Sequence, residues 1–215
     1  MKNVITIDGP SGAGKGTIAR LLAKKLGYKY LDTGALYRAV AWKVREERTD
    51  LSNESALKRL IENIKITFNG DRITADGVDI TSEIRTAEIG ELSSQVSALP
   101  SVRAGLFGIQ RNMCLQGDVV IEGRDTGTTI FPESENKFYL DASVEERARR
   151  RYEELKMKDA AITLAATIED IKKRDTRDST RQTSPLTRTD DMVYIDSTNL
   201  SIEDVVEKIT GSLKR

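Results

Sequence analysis

The residues best suited to chemistry open the chain. Gly9-Pro10-Ser11-Gly12-Ala13-Gly14-Lys15-Gly16-Thr17 follow an apolar run, Val4-Ile5-Thr6-Ile7, and lead into a stretch with helical spacing. Strand, glycine-rich turn and helix N-terminus are the setting of a phosphate-binding loop. Glycines let the backbone wrap a polyphosphate with its N–H groups inward, while the helix dipole and the Lys15 ammonium add positive potential. The pattern G-x-x-x-x-G-K-[ST] is met with one departure: Gly16 takes the Ser/Thr position and Thr17 comes one residue later. All nine residues, Gly9 to Thr17, are candidate nucleotide contacts. The alternative, a turn that merely joins strand to helix, fits the flanks less well. A nucleoside triphosphate is the expected ligand.

Four polar clusters follow apolar runs further along: Asp32-Thr33-Gly34 with Arg38, Glu122-Gly123-Arg124-Asp125, Asp141-Ala142, and Asp196-Ser197-Thr198-Asn199. Singly, each is what helix caps and turns also need. Together they suggest one site edge. Arg147, Arg149, Arg150 and Arg151 stand among Glu145, Glu146, Glu153 and Glu154. They read either as a solvated, salt-bridged helix or as arginines reaching an anionic ligand, with Arg147 and Arg151 sharing a face. Arg174-Asp175-Thr176-Arg177-Asp178-Ser179-Thr180-Arg181 mixes signs after a helix, as a surface turn or a ligand segment would.

These residues need elements to place them. Ile18, Leu21, Leu22 and Leu26 give one helical face, with Gly27 at the expected C-terminal cap. Tyr28–Leu31 reads as a strand, and Leu36, Val40 and Val44 mark a helix. Leu57, Leu60, Ile61 and Ile64 mark another. Ile66–Phe68, Arg72–Ala75 and Val78–Thr81 alternate, parted by Asn69-Gly70 and Asp76-Gly77, which predicts a small antiparallel meander. A helix follows Pro100-Ser101. Val119–Ile121 and Phe138–Leu140 suit buried parallel strands. Ser143-Val144-Glu145-Glu146 reads as a capping box, Thr167–Arg174 as a helix, Val193–Ile195 as a strand, and Ser201 as a cap. Five strands alternating with helices predict an α/β doubly wound parallel sheet with ligands at its C-terminal edge.

Composition narrows the chemistry. The 215 residues hold 34 Lys+Arg and 34 Asp+Glu, so a globally basic nucleic-acid binder is not expected. With no histidine, imidazole catalysis and histidine metal sites are excluded. Cys114 cannot pair within the chain and reads as a small buried hydrophobe in a reducing compartment. No apolar run approaches a membrane span, and Met1-Lys2-Asn3 leave no room for a signal peptide, so a cytoplasmic protein without a membrane partner is expected.

The glycine after the lysine resembles nucleoside monophosphate kinases more than GTPases. IDGPSGAGKGT, LDTGALYRAV, ITSEIRTAEI, SSQVSALPSVR, EGRDTGTTIFP, YLDASVEERARRR, RDTRDSTRQTSPL and IDST resemble, in order and across nearly the whole chain, segments of the bacterial cytidylate kinase family. Thr33 stands where serine is common and Glu122 where aspartate is common; each keeps the functional group. The resemblance implies ATP-dependent phosphorylation of CMP and dCMP, with Mg²⁺ on the phosphates; no heptad or large apolar patch suggests an obligate assembly, so a monomer is expected. It implies a core at 1–61, 104–145 and 176–215, a monophosphate-binding insertion at 62–103 and a helical lid at 146–175.

Its site residues follow. Lys15 would span the β- and γ-phosphates, Thr17 would hold Mg²⁺, and Asp32 would support it. Thr33, one helical turn from Arg38, would hold the acceptor phosphate with it. Ser94, Arg103, Arg124, Asp125, Arg174 and Asp178 are implied around the monophosphate, and Arg147, Arg151, Arg177 and Arg181 around the transferring group. Asp125 with Arg103 or Arg124 is the candidate reader of the cytosine edge, and Asp196–Asn199 would lie by the adenine. Several negative charges converge in such a transfer, which accounts for many arginines. A phosphate acceptor, already largely dianionic, needs no general base. Another small-molecule kinase, acting on uridylate or shikimate, lacks the later motifs. A GTPase-like switch would need Asn-Lys-x-Asp, and here Asn136-Lys137 leads into Phe138-Tyr139.

Overall fold

The computed structural model describes residues 3–157 and 161–214. Met1, Lys2 and residues 158–160 of the expected lid lie outside the described residues, as does Arg215. In chain order the elements are β1 (Val4–Asp8), α1 (Lys15–Leu26), β2 (Lys29–Asp32), α2 (Thr33–Glu46), α3 (Glu54–Asn63), β3 (Ile66–Asn69), β4 (Arg72–Ala75), β5 (Val78–Asp79), α4 (Ala87–Val96) and α5 (Pro100–Met113). Then come β6 (Val119–Gly123), β7 (Asn136–Asp141), α6 (Val144–Lys156), α7 (Leu164–Thr180), β8 (Val193–Asp196) and α8 (Ile202–Gly211). The chain divides into two compact units, Met1–Leu31 with Cys114–Arg215, and Asp32–Met113.

The first unit is built on a five-stranded sheet in the order β2-β6-β1-β7-β8. β1 pairs in parallel with β6 and β7, and β7 with β8. Ile5, Ile7, Leu22, Val120, Phe138, Leu140 and Ile209 close its core, each almost wholly buried. The strand order reverses beside β1, so the first loop after it opens at the edge where α/β sheets place ligands.

The second unit has its own core, in which Leu36 and Val40 of α2 meet Leu57, Ile84, Ile89, Val102 and Leu106. The antiparallel sheet β3-β4-β5 belongs to it. Asp76-Gly77 forms the expected turn, both residues at positive φ (52° and 83°) between the paired Ala75 and Val78. The other turn is displaced by one residue. Asn69 pairs with Arg72, and Gly70 alone takes positive φ (59°), as a turn with glycine at its first central position requires.

Two other local expectations shift. α7 runs on to Thr180, so the mixed-charge segment expected after a helix forms its last turns. Of the box at Ser143, the forward half is present, with the serine hydroxyl accepting from Glu146 N–H; the Glu146 carboxylate instead takes Arg149 and Arg150. The full capping box is at α8, between Ser201 and Asp204. Cys114 is buried.

Candidate active site

The turn after β1 cannot be built without its glycines. Gly9 has φ +151°, and a Cβ there would stand 1.9 Å from the Leu140 carbonyl oxygen. Gly12 and Gly14 lie at φ +78° and +85°; a Cβ on Gly12 would meet the Arg147 carbonyl at 2.8 Å. Gly14 begins α1 with no side-chain cap, so the first amides of the helix remain for an anion. At Gly16 a Cβ would already touch the Glu122 carboxylate and the Tyr30 hydroxyl at 3.4 Å.

Lys15 is buried, its Nζ donating to the Pro10 carbonyl at 2.8 Å. Burial, with Arg124 nearby, lowers its pKa to about 7, against the opposing pull of Glu122, Asp178 and Asp8. Thr17 is exposed on the first turn of α1. It lines a cleft of about 400 Å³ with Gly12, Ala13 and Gly14. Arg149, Arg150 and Arg151 border the cleft, and Leu200, Ile202 and Val205 make its apolar end.

A cluster of cations surrounds the end of β6. Arg124 Nε donates to Asp178 Oδ2 at 2.8 Å. Arg181 approaches Asp178 Oδ1 at 3.7 Å and Asp125 Oδ1 at 3.4 Å. Burial works against the Asp178 charge, but Arg124, Arg181 and Arg174 outweigh it and hold the carboxyl below the usual carboxylate range. Arg174 is likewise held below its usual range, by burial first and by Arg124 second. Its Nε is buried with no hydrogen-bond partner. A buried cation so placed suits an anionic ligand.

Arg147 and Arg151, expected to act together, have different partners. Arg147 is buried and donates to the carbonyls of Ala142 and Ser11, both at 2.9 Å, and to Asp175 at 2.6 Å. Arg151 pairs with Glu154 at 2.9 Å. Arg150, not singled out from the sequence, bonds the Ser197 carbonyl at 2.8 Å. Arg177 lies on α7 between Arg174 and Arg181.

Asp8 was also missed. It is fully buried and accepts from Thr126 N–H, Thr126 Oγ1 and Gly127 N–H at 2.8–2.9 Å. Burial raises its pKa, and Asp125 adds to this against those hydrogen bonds. It ties the base of the glycine loop to the π-helical turn Thr126–Ile130 that follows Asp125. An aspartate closing an apolar strand is a signal the sequence did contain.

The remaining expected residues lie at or beyond the start of the second unit. Asp32 caps α2 through the Ala35 N–H at 2.9 Å and pairs with Arg85 at 3.1 Å. Thr33 is buried at the first position of α2. Arg38 Nη1 donates to the Ile84 carbonyl at 2.8 Å, and a Cβ on Gly90 would stand 3.4 Å from the same atom. Ser94 is buried on α4. Arg103 is buried on α5, bonded to the Ser97 carbonyl at 3.1 Å and set over the Tyr37 ring at 5.4 Å.

Residues 5–215 match the family model described as cytidylate kinase. This chain belongs to that family. It is 47% identical over 216 residues to a cytidylate kinase of Stutzerimonas stutzeri, covering 98% of this chain and 94% of that protein. It is 48% identical over 215 residues to one of Geobacter sulfurreducens, covering 98% and 92%. Among solved structures, an uncharacterized protein from Eubacterium ventriosum superposes with a TM-score of 0.51 at 12% identity, covering 98% of this chain and 97% of that one, a likeness of fold. Among the described residues no helix is long and apolar enough to cross a membrane.

Proposed function

We propose that this chain transfers the γ-phosphoryl group of ATP to CMP and dCMP, giving ADP with CDP or dCDP. One observation carries the reading beyond the family name. Lys15, Arg124, Arg174 and Arg181 are buried or nearly so around Asp178 and Asp125, beside the glycine loop, in a chain of zero formal charge. Concentrating cations this way is costly unless several phosphates meet there.

In this reading the loop amides and Lys15 hold the donor phosphates. The apolar end of the cleft, next to Asp196–Asn199, takes the adenine. Thr17, on the first turn of α1 and in the cleft, suits Mg²⁺ through its hydroxyl, with phosphate oxygens as the other ligands. Held there, the ion would supply positive charge against the donor phosphates. Thr33, Arg38, Ser94 and Arg103 hold the acceptor, and Asp125 reads the cytosine amino group. Arg177 and Arg181, with Arg151 and Arg147, compensate charge on the group in transit. The acceptor phosphate attacks as its dianion, which is why no basic side chain is required. In this scheme the enzyme is monomeric and cytoplasmic, with a monophosphate-binding insertion at 62–103 and a lid at 146–175.

Incubation with ATP, Mg²⁺ and CMP should yield ADP and CDP in equal amounts. ATP consumption that ignores CMP, or leaves free phosphate in place of CDP, would refute the transfer.

A further inference from the structure

We infer that Asp175 is a positioning residue that sets the glycine loop and Arg147 in the geometry needed for transfer. The inference rests on the phosphoryl-transfer reading of the preceding subsection. Asp175 Oδ2 accepts from Arg147 Nη1 at 2.6 Å, and Oδ1 accepts from the Ser11 N–H at 3.3 Å. The same Arg147 nitrogen donates to the Ser11 carbonyl at 2.9 Å. Three groups thus close a ring in which both backbone polar groups of Ser11 are held from outside the loop. Arg147 is itself fixed through Nε to the Ala142 carbonyl. The α6 backbone packs on the next loop residue so closely that only glycine fits at Gly12.

The position of Asp175 on α7 gives the ring its consequence. Arg174 precedes it and Asp178, paired with Arg124 and Arg181, follows one turn later. One helix therefore carries residues of the cationic cluster and, on the adjoining stripe of the same face, the brace of the donor loop. Arg147 is 5% exposed and Asp175 23% exposed, so their ion pair is shielded. The other carboxylate near Arg147, Asp141, stands 3.8 Å from Nε. Replacing the Asp175 carboxylate by an amide sets an NH₂ against either Arg147 or the Ser11 N–H, both donors. The loop then loses its setting although no phosphate contact is removed. Misplacement of reacting groups by about an ångström costs on the order of 10²-fold in rate.

The test is a double-mutant cycle with Asp175→Asn and Arg147→Met, read as kcat and as KM for ATP, with CMP affinity measured separately. Asp175→Asn is expected to lower kcat by about 10–100-fold and raise KM for ATP, with CMP affinity held within about threefold. The double variant should lose less than the two single losses combined, because the Arg147 link is common to both while the bond to Ser11 N–H is Asp175's own. Asp175→Glu, which keeps the charge, should recover part of the rate. It replaces the amide in the cycle should the amide fail to fold. Wild-type kcat in Asp175→Asn, additive losses in the cycle, or an equal fall in CMP affinity would each overturn the positioning role. A wild-type protein unable to phosphorylate CMP would instead reject the function on which it rests.

Discussion

Replacing Lys15 with methionine should stabilise the ligand-free protein while nearly abolishing turnover. The lysine is buried and its pKa falls from 10.5 to about 7, which corresponds to about 5 kcal/mol held against the charged form. Methionine fills similar volume without a charge. It leaves the Pro10 carbonyl without its 2.8 Å donor, which returns about 1–2 kcal/mol. A net gain of about 3 kcal/mol at pH 6 follows, or roughly 6–12 °C in Tm for a chain of this size. The pH dependence carries the signature. Between about 7 and 10.5 the unfolded lysine binds a proton that the folded one has released, so wild-type stability rises with pH across that window. The advantage of Lys15→Met should therefore be greatest below pH 7 and fade toward pH 10. Calorimetric melts of both proteins at pH 6, 8 and 9.5 measure it, and kcat/KM should fall by about 10²–10³-fold. A variant less stable than wild type at pH 6, or a gap that ignores pH, would refute the account of Lys15. So would near-normal turnover.

The same lysine should take up a proton when a polyphosphate restores its charge: about 0.9 proton per Mg-ATP at pH 8 and about 0.1 at pH 6, beyond what Lys15→Arg shows in calorimetry across buffers of different ionisation enthalpy. Equal uptake by the two proteins would contradict it. Asp125→Asn should narrow the preference for CMP over UMP, since an amide can donate to the uracil O4 that a carboxylate repels; an unchanged ratio would remove Asp125 from base reading. CMP, or ATP with Mg²⁺, should slow hydrogen exchange in Ser82–Arg103 and in the described parts of Arg147–Asp178 if both segments close to exclude water. Unchanged exchange in both at saturation would defeat that closure.

What the sequence made legible had local causes. Apolar runs marked β1 and β6, strands buried on both faces and so continuously apolar; they also marked β7 and β8, although β8 buries only Ile195 and leaves Val193 and Tyr194 exposed. Positive-φ demands marked Gly12, Gly14, Gly27 and the Asp76-Gly77 turn. Features set by distant partners were hidden. The mixed charges of 174–181 are helical through Thr180, and there Asp178 meets Arg124, fifty-four residues away. Helical spacing could place Arg147 and Arg151 on one face, but not show that Arg147 turns to Ser11 while Arg150 reaches Ser197. Asp8 was visible as an aspartate closing an apolar strand, but its partners were not, since nothing local reveals three donors arriving from Thr126 and Gly127. The turn at Gly70 slipped by one residue because Asn69 and Gly70 both tolerate the left-handed region, and pairing to Arg72 decided between them.

The central claim, a phosphotransferase that selects the cytosine base, is tested most directly by kcat/KM for CMP and UMP under identical Mg-ATP. In the proposed scheme a carboxylate, Asp125, and an arginine meet the base edge, and such a pair can discriminate by about 10⁴-fold or more because the wrong base leaves buried polar groups unpaired. The account predicts CMP favoured by a ratio of that order, with dCMP also accepted. Equal values for CMP and UMP would contradict it.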